Sequence, residues 1–362
     1  MKDLILFGDC RESLKTIATS DTKARMCVTS PPYYGLRDYG TATWIGGDPN
    51  CNHRRDTKVK PENCNTGHKN HDEMAGVGDA IYKTVCPKCG AIRQDSQIGL
   101  EQTPEDYVKE MVKVFSLVRD CLTDDGTLWL NIGDSYYNYR SDGNYPKQTV
   151  SKTRQDLPQS TPVRGNKLEG LKQKDLIGIP WMLAFALRAD GWYLRQDIIW
   201  HKPNPMPESV KDRCTKAHEY IFLLSKSKKY FYDNEAIKEP AKDWGTRNRT
   251  KGKYHNPGTG LQPHSGLTKS YERKNKRSVW SVTVKPYKGA HFATYPEELV
   301  EPCILAGSEK GDIILDPFMG SGTTAMVAKK NSRSYLGCEL RKEYASLQTA
   351  RISTIPNKLP LY

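Results

Sequence analysis

Residues 312–330 read "DIILDPFMGSGTTAMVAKK", in which a hydrophobic strand runs through a glycine turn into a helix. The apolar run ends at Asp316, and the glycines of Gly320-Ser321-Gly322 let a ligand approach the backbone closely. The helix that follows offers unpaired N–H groups at its N-terminus. A phosphate-binding P-loop requires Gly-Lys-Ser/Thr, and no lysine follows Gly322. The stretch is therefore a candidate ligand site, with an ordinary strand-to-helix connection as the alternative.

The strand that follows this helix adds an acidic residue. Its sequence, "SYLGCEL" (334–340), carries Glu339 near the end. A carboxylate at the end of the second strand of such a unit can accept hydrogen bonds from the two hydroxyls of a ribose. The glycine turn and Glu339 together predict a nucleoside ligand, with or without a pyrophosphate.

Short apolar and β-rich runs recur along the rest of the chain, as expected for strands that are covered on both faces. Helical patterns separate them, including one after the capping residue Thr103 and others at 176–189, 296–306, 322–330 and 341–353. This alternation predicts an α/β fold with a doubly wound, mostly parallel sheet of seven strands. The predicted strands are 4–7, 25–30, 127–132, 192–200, 220–225, 312–316 and 334–340.

Composition favours a polyanionic partner and no membrane. The net charge is +13 and the pI is near 9.1, although a basic surface also serves solubility alone. The longest apolar stretch, "IPWMLAFAL", is too short to span a bilayer, and "MKDLILFGDC" does not read as a signal peptide. Ten cysteines without such a signal indicate reduced thiols or metal ligands. We expect a cytoplasmic protein.

A second unusual stretch, "VTSPPYYGLRDYG" (28–40), follows an early strand. The pair Pro31-Pro32 supplies no backbone N–H and disfavours a helix, so the chain leaves the strand in a fixed, extended shape. Ser30 and Tyr33 flank this pair. The tetrapeptide can hold polar and aromatic groups in fixed positions, and a plain strand-ending turn is the alternative.

The two stretches resemble motifs of one family. "DPFMGSGTT" resembles the S-adenosylmethionine-binding motif of amino-group DNA methyltransferases, and "TSPPY" resembles their catalytic motif. The catalytic motif comes first and basic sequence lies between the two, which resembles the β class. The resemblance extends through "GDC" (8–10), "LWLNIGDSYY" (128–137), "GWYLRQDIIWHKPNPMPES" (191–209), "EYIFLLSKSKKYFYD" (219–233) and "HFATYPEELVEPCI" (291–304). It covers most of the chain outside three polar stretches, at 41–98, 138–174 and 240–278.

The resemblance implies a sheet order of 3-2-1-4-5-7-6 in the family's numbering, with the seventh strand antiparallel. The strand at 312–316 would be the first in that scheme and the strand at 25–30 the fourth, so Asp316 and Ser30 would end adjacent strands at a topological switch point. The implied cofactor is S-adenosylmethionine. Its implied binding residues are Asp9, Phe292, Asp316, Pro317, Phe318, Gly320, Ser321, Gly322 and Glu339.

The resemblance also implies the chemistry. An exocyclic amine of a base is a poor nucleophile, and acceptors on its two hydrogens help it to attack the sulfonium methyl. Ser30 Oγ and a main-chain carbonyl of Pro31-Pro32 could supply them, with Tyr33 stacked on a base flipped out of the duplex. Asp134 could accept a proton or order the base; a cap or turn role is the alternative. The Pro302-Cys303 pair lies in a predicted helix, which disfavours methylation at ring carbon 5.

These implications divide the chain into four parts. The catalytic half comprises 1–40 and 99–239, and the cofactor-binding half 281–362. A basic target-recognition segment at 240–280 would grip double-stranded DNA, with Arg273, Lys274, Lys276 and Arg277 as candidate contacts and a solvated charge run as the alternative. A cognate restriction endonuclease is a candidate partner.

The fourth part is the Cys/His-rich insert at 41–98. Its sequence contains Cys51-x-His53 and Cys86-x2-Cys89, and "CPKCG" resembles one knuckle of a zinc ribbon. These four residues could bind a structural zinc ion. Cys64, His68 and His71 are rival ligands, and reduced surface thiols are the alternative.

Serine before Pro-Pro-Tyr is the common form in cytosine-4-amino enzymes, whereas aspartate or asparagine is usual in adenine enzymes. The sequence therefore favours transfer to the 4-amino group of cytosine over the 6-amino group of adenine. Two other readings remain: a catalytically idle, zinc-containing DNA-binding protein, and an RNA or protein methyltransferase. Intact Ser30, Asp316 and Glu339 argue against the first, and the motif order with the basic segment argues against the second.

Overall fold

Eight strands form one central sheet in the computed structural model, which describes residues 1–35, 42–53, 85–137, 168–241, 272–284 and 295–355. Four further short strands form two separate pairs. In chain order the strands are β1 (Leu4–Phe7), β2 (Ala24–Thr29), β3 (Thr43–Ile45), β4 (Ile92–Gln94), β5 (Leu122–Ile132), β6 (Tyr193–His201), β7 (His218–Ser225), β8 (Glu239–Pro240), β9 (Arg273–Lys274), β10 (Val279–Ser281), β11 (Ile313–Asp316) and β12 (Ser334–Glu339).

The order along the sheet is β1-β12-β11-β2-β5-β7-β6-β10. Only β7 runs antiparallel to its neighbours in this sheet. The predicted order 3-2-1-4-5-7-6 and the antiparallel seventh strand are thus confirmed. An eighth strand, β10, extends the sheet beyond β6; its three residues follow a basic run and give no strand pattern of their own. Trp280 anchors it with only 5% of its surface exposed.

Six α-helices cover the sheet in the described residues. They are α1 (Cys10–Ala18), α2 (Pro104–Cys121), α3 (Ile179–Ala189), α4 (Glu297–Gly307), α5 (Thr323–Lys330) and α6 (Ala345–Ser353), the last preceded by a 3-10 turn at Lys342–Tyr344. Thr103 caps α2 as predicted by accepting from the Asp106 N–H at 3.1 Å. Helix α1 is not among the predicted helices, although Leu14 and Ile17 lie on one buried face of it, because nine residues hold too few apolar positions for the pattern to stand out. No helix among the described residues is long and apolar enough to cross a membrane.

The helices bury two hydrophobic cores, one on each face of the sheet. The first includes Tyr107 and Phe115 of α2 and Leu183 of α3. The second includes Val300 and Ile304 of α4 together with residues of α5. Burial on both faces explains why the central strands read as continuous apolar runs.

The centre of the sheet joins the two ends of the chain. β2 and β11 pair in parallel, with Met26 opposite Ile314 and Cys27 opposite Leu315. Parallel pairing places the carboxyl ends of both strands at the same edge. Ser30 and Asp316 therefore lie beside each other at the switch point, as predicted.

Candidate active site

One edge of the sheet collects most of the predicted residues. The carboxyl ends of the parallel strands point to this edge, and the first residues of β7 lie there as well because β7 is antiparallel. The residues at this edge are Asp9 after β1, Ser30 after β2, Asp134 after β5, Lys202 after β6, Glu219 in β7, Asp316 at the end of β11 and Glu339 at the end of β12.

Asp316 is completely buried. Its Oδ1 accepts hydrogen bonds from Thr29 Oγ1 at 2.6 Å and from the Phe318 N–H at 3.0 Å, and its Oδ2 accepts from the hydroxyls of Tyr295 and Thr324. Burial raises the pKa of this carboxyl. The carboxylate therefore ties the end of β11 to β2 and to the start of α5, which fixes the glycine turn between them.

Glu339 lies across that turn. Its Oε2 accepts from the Gly320 N–H at 2.8 Å, and its Oε1 accepts from the Arg341 N–H at 2.9 Å. Burial raises the pKa of Glu339 to about 7, because only 8% of its surface is exposed. Two carboxylate oxygens with one described donor each keep capacity to accept from a ligand's hydroxyls.

The turn itself depends on glycine. Gly320 and Gly322 adopt φ angles of 52° and 83°, in the left-handed region that side chains rarely occupy. Ser321 points away from this edge, since its Oγ accepts from Arg351 of α6 at 2.8 Å. Pro317 is buried, whereas Phe318 and Gly320 are half-buried.

Asp9 caps the helix that follows it. Its Oδ1 accepts from the Arg11 N–H at 2.9 Å, and the Arg11 guanidinium donates to both carboxylate oxygens. Burial opposes ionisation, but these bonds outweigh it and lower the pKa of Asp9. The observed contacts thus account for Asp9 as a strand-end cap. Phe292, the other predicted cofactor contact, lies outside the described residues.

Hydrogen bonds to α2 and to the strands β5 and β7 hold the segment Ser30-Pro31-Pro32-Tyr33 in place. The Pro32 carbonyl accepts from Tyr107 of α2 at 2.9 Å. The Tyr33 hydroxyl donates to Glu219 Oε2 at 2.7 Å and lies 3.3 Å from Asn131 Oδ1. Burial, with the nearby Glu219 charge, raises the pKa of Tyr33 well above its usual range. The phenol is therefore neutral and anchored.

Glu219, Asn131 and Lys202 form a polar network that the motifs do not reveal. Glu219 accepts from Lys202 Nζ and from Asn131 Nδ2, in addition to Tyr33. One signal is present in the sequence: residues that begin an antiparallel strand lie at the same edge as residues that end parallel ones. With β7 predicted antiparallel, Glu219 is therefore expected beside Tyr33.

Asp134 caps α3, although the two are far apart in the sequence. Its carboxylate accepts from the backbone N–H groups of Ser135, Gly178 and Ile179 at 2.9–3.3 Å. Gly178 precedes α3 and has no side chain with which to cap it. These contacts match the cap role for Asp134, and its role towards the base stays a prediction.

The four predicted metal ligands lie together. The ligand atoms of Cys51, His53, Cys86 and Cys89 are all within 4.8 Å of one another. Cys51 and Cys86 sulfurs are 3.8 Å apart, and the Cys89 sulfur is 3.5 Å from His53 Nδ1. The rivals Cys64, His68 and His71 lie outside the described residues.

The predicted DNA contacts surround one acidic residue. Arg273 and Lys274 form β9, which pairs with Glu239 and Pro240 of β8. Glu239 accepts from Arg277 Nε at 2.9 Å and lies 4.0 Å from Lys274 Nζ. Lys276 lies over the Trp280 ring, 5.0 Å from its centroid. Most of the segment between the two strands lies outside the described residues.

Comparison with known sequences shows extensive similarity. A family model described as DNA methylase, N6_N4_Mtase, matches residues 24–350. The Type II methyltransferase M.SmaI of Serratia marcescens is 41% identical over 353 residues, covering 96% of this chain and 90% of that protein. The Type II methyltransferase M.Cfr9I of Citrobacter freundii is 40% identical over 345 residues, covering 95% and 86%.

Solved structures share the fold at low sequence identity. The PvuII DNA methyltransferase (cytosine-N4-specific) has a TM-score of 0.53 at 14% identity, covering 99% of this chain and 88% of that one. A putative DNA modification methylase from Thermus thermophilus, complexed with S-adenosyl-L-methionine, has a TM-score of 0.50 at 20% identity, covering 97% and 94%.

Proposed function

The chain belongs to the DNA methylase family, and from that premise we propose that it transfers a methyl group from S-adenosylmethionine to the exocyclic amine of a flipped base in double-stranded DNA, with cytosine-N4 favoured. One observation carries the proposal: the Ser-Pro-Pro-Tyr segment and the glycine turn end adjacent strands, so acceptor and cofactor sites share an edge. The Cys/His cluster lies outside the residues that this reaction needs.

The residues of the turn suit S-adenosylmethionine. Glu339 would accept hydrogen bonds from its ribose hydroxyls, and Phe318 would pack against it, while Gly320 leaves the backbone open to close approach. Asp316 shapes this site from within, since its carboxylate already accepts four hydrogen bonds. When bound, S-adenosylmethionine supplies an electrophilic methyl group on a sulfonium centre. The Thermus methylase of the same fold was solved with this ligand.

Ser30 and one proline carbonyl would accept the two amine hydrogens. Tyr107 already donates to the Pro32 carbonyl, which favours the Pro31 carbonyl as the second acceptor. Both acceptors are fixed before the base arrives, because the two prolines restrict the backbone. Preorganised acceptors of this kind lower the barrier without covalent catalysis.

Tyr33 would stack on the flipped base. Its ring lies against Gly133, where an added Cβ would be 2.7 Å from Tyr33 Cε2. With its hydroxyl anchored on Glu219, the ring is fixed for stacking. No thiolate is required: Cys303 of α4 is buried, and burial raises the pKa of its thiol. Methylation at ring carbon 5 is therefore disfavoured.

Mass spectrometry of nucleosides from DNA treated with the pure enzyme and S-adenosylmethionine tests the proposal. We expect 4-methylcytosine, because Ser30 occupies the first motif position. If 6-methyladenine were the only product, the target base would be adenine rather than cytosine, and the proposed mechanism would be unchanged. Methylated RNA or protein with unmodified DNA, or no methyl transfer at all, would contradict the proposal.

The similarity to Type II methyltransferases supports a cognate restriction endonuclease as partner. Such an enzyme would cut the sequence that this chain methylates. Plasmid methylated by this enzyme should then resist one restriction endonuclease from the organism that makes this chain. If every restriction endonuclease of that organism cut the fully methylated plasmid, the result would argue against such a partner.

A further inference from the structure

We propose that Cys51, His53, Cys86 and Cys89 bind one structural Zn²⁺ ion, which methyl transfer as such does not require. Three thiolates and one imidazole are a common ligand set for closed, four-coordinate zinc. The set is complete in the protein, with no position left for a substrate. The site is therefore structural rather than catalytic.

Two ligand–ligand distances agree with a tetrahedral ion, and all four ligand atoms lie within 4.8 Å of one another. Zinc–sulfur bonds of about 2.3 Å and zinc–nitrogen bonds of about 2.0 Å require sulfur–sulfur separations of about 3.8 Å and sulfur–nitrogen separations of about 3.5 Å. The Cys51–Cys86 and Cys89–His53 distances are 3.8 and 3.5 Å. A disulfide would require sulfurs at about 2.05 Å, so the arrangement differs from an oxidised pair.

Neighbouring residues position these ligands. The Trp44 ring stacks on His53 at 4.2 Å between centroids, which orients the imidazole. The Cys86 N–H donates to the Ala91 carbonyl at 2.8 Å and the Gly90 N–H donates to the Cys86 carbonyl at 2.8 Å, which closes the turn that carries the Cys89 sulfur. Gly47 packs so closely that an added Cβ would lie 2.8 Å from that sulfur. Packing and hydrogen bonds thus hold the ligands in positions from which they can bind one ion.

Burial of large apolar side chains contributes little to the folding of the surrounding hairpin. β3 and β4 have three residues each, and a pair this short is marginal alone. Ile45, Val85 and Ile92 are each more than half exposed within the described part of the chain. Binding of zinc can supply the missing free energy of folding.

The segment that follows the hairpin contacts the catalytic motif. Gly99 lies five residues after the end of β4, and its carbonyl accepts from the Gly35 N–H at 2.8 Å. The Cβ that a side chain would add at Gly99 lies 3.1 Å from the Tyr33 carbonyl. Zinc would thus fix the hairpin from which the chain continues, within a few residues, to this contact with the catalytic segment.

Elemental analysis of the full-length protein, purified without added metal, tests the proposal. We expect about one zinc per chain in the wild type, by the four-ligand rule. Cys86→Ser and Cys89→Ser should lose it. Cys214→Ser is the matched control, since it replaces an exposed cysteine outside the cluster, and it should keep the metal.

Because a ligand variant can lose zinc by misfolding, cobalt exchange on the wild type provides a second measurement. Cobalt in this site should give the intense visible bands of tetrahedral geometry and thiolate charge transfer in the near ultraviolet. A metal-free wild type, an octahedral cobalt spectrum, or a Cys51–Cys86 disulfide found by mass spectrometry would each overturn the proposal. These readouts are independent of methyl transfer, so failure of the proposed function leaves this test intact.

Discussion

The Gly320 N–H donates to the Glu339 carboxylate at 2.8 Å, and this bond closes the glycine turn over the end of β12. Glu339 is at once a structural acceptor and the proposed partner of the ribose hydroxyls. Because burial raises its pKa to about 7, its acceptor capacity changes near neutral pH. The cofactor site is therefore expected to respond to pH.

Affinity for S-adenosylmethionine should rise between pH 6 and pH 8. Below its pKa of about 7, Glu339 is protonated and loses an acceptor; above it, the carboxylate can accept from both hydroxyls. Glu339→Gln should weaken binding by about 1–3 kcal/mol at pH 8 and flatten the pH profile. Calorimetry at several pH values measures both, with exposed Glu343→Gln as control. Equal affinity of Glu339→Gln and wild type at pH 8 would remove Glu339 from the site.

Ser30→Ala should reduce the rate of methyl transfer by about 10²-fold, because one preorganised acceptor is lost. Tyr33→Ala should do the same through loss of stacking. Cofactor affinity should change little, since both side chains are assigned to the base. Ser30→Ala should leave stability near that of the wild type, whereas Tyr33→Ala should also lower it through loss of the hydrogen bond to Glu219. Single-turnover kinetics and calorimetry separate the two effects, and Ser353→Ala on α6 is the control. Turnover near that of the wild type in both variants would refute the catalytic assignment.

Glu219→Ala should cost about 1–3 kcal/mol of stability, because it leaves the Tyr33 hydroxyl and Lys202 without their shared acceptor. Glu219→Gln keeps an acceptor oxygen and should retain more activity. Denaturation and methyl-transfer rates of the two variants, measured together, test this positioning role. Equal losses of activity in both variants would mean that the charge of Glu219, and not its hydrogen bond to Tyr33, is what matters.

Asp134→Asn should preserve both fold and activity, because asparagine caps helices about as well as aspartate does. Asp134→Ala should lower stability by about 0.5–2 kcal/mol through loss of the cap on α3. Thermal denaturation and the methyl-transfer rate distinguish the cap from a proton acceptor. A stable Asp134→Asn variant with little activity would show that the carboxylate itself takes part in the chemistry.

DNA binding should weaken as salt rises, and neutralising Arg273, Lys274, Lys276 and Arg277 together should flatten that dependence, by up to about 0.9 in slope for each phosphate that these side chains neutralise. Glu239→Gln should act in the opposite sense, since Glu239 pairs with Lys274 and Arg277. Neutralising Lys15, Lys109 and Lys113 on α1 and α2 provides the control. If the salt dependence of the fourfold variant equalled that of the wild type, the DNA contacts would lie elsewhere in the chain, and residues 41–98 would be the next candidates.

Residue patterns predicted all seven family strands because buried parallel strands leave apolar runs, and motif order then fixed their neighbours. Strand β10 and helix α1 escaped prediction. The three residues of β10 lie beside a basic run, and the nine residues of α1 hold only two large apolar side chains, Leu14 and Ile17. The prediction that Cys51, His53, Cys86 and Cys89 lie together agrees with the structure. Short spacings explain each pair, whereas the pairing of β3 with β4 brings the two pairs together.

Side-chain contacts were harder to predict than position. Sequence places Asp316 and Asp9 at strand ends but does not show that Thr29 or Arg11 already occupies their carboxylates. Ser321 sits in the glycine motif, yet its hydroxyl faces Arg351 of α6, from a part of the chain with no motif. The Glu219 network joins residues far apart in sequence, and only the antiparallel direction of β7 brings them together.

The pairing of β1 has a consequence for synthesis on the ribosome. Among the described strands β1 pairs only with β12, and the residues that pair, such as Leu4 and Leu336, lie far apart in the sequence. β2 can pair with β5 midway, but β11 and β12 must emerge before the strand order closes. Contacts of such long sequence separation form slowly and leave unpaired edges exposed to aggregation. β1 therefore stays without its partner strand until β12 has been synthesised, and the edge of the sheet that carries Glu339 is completed only then.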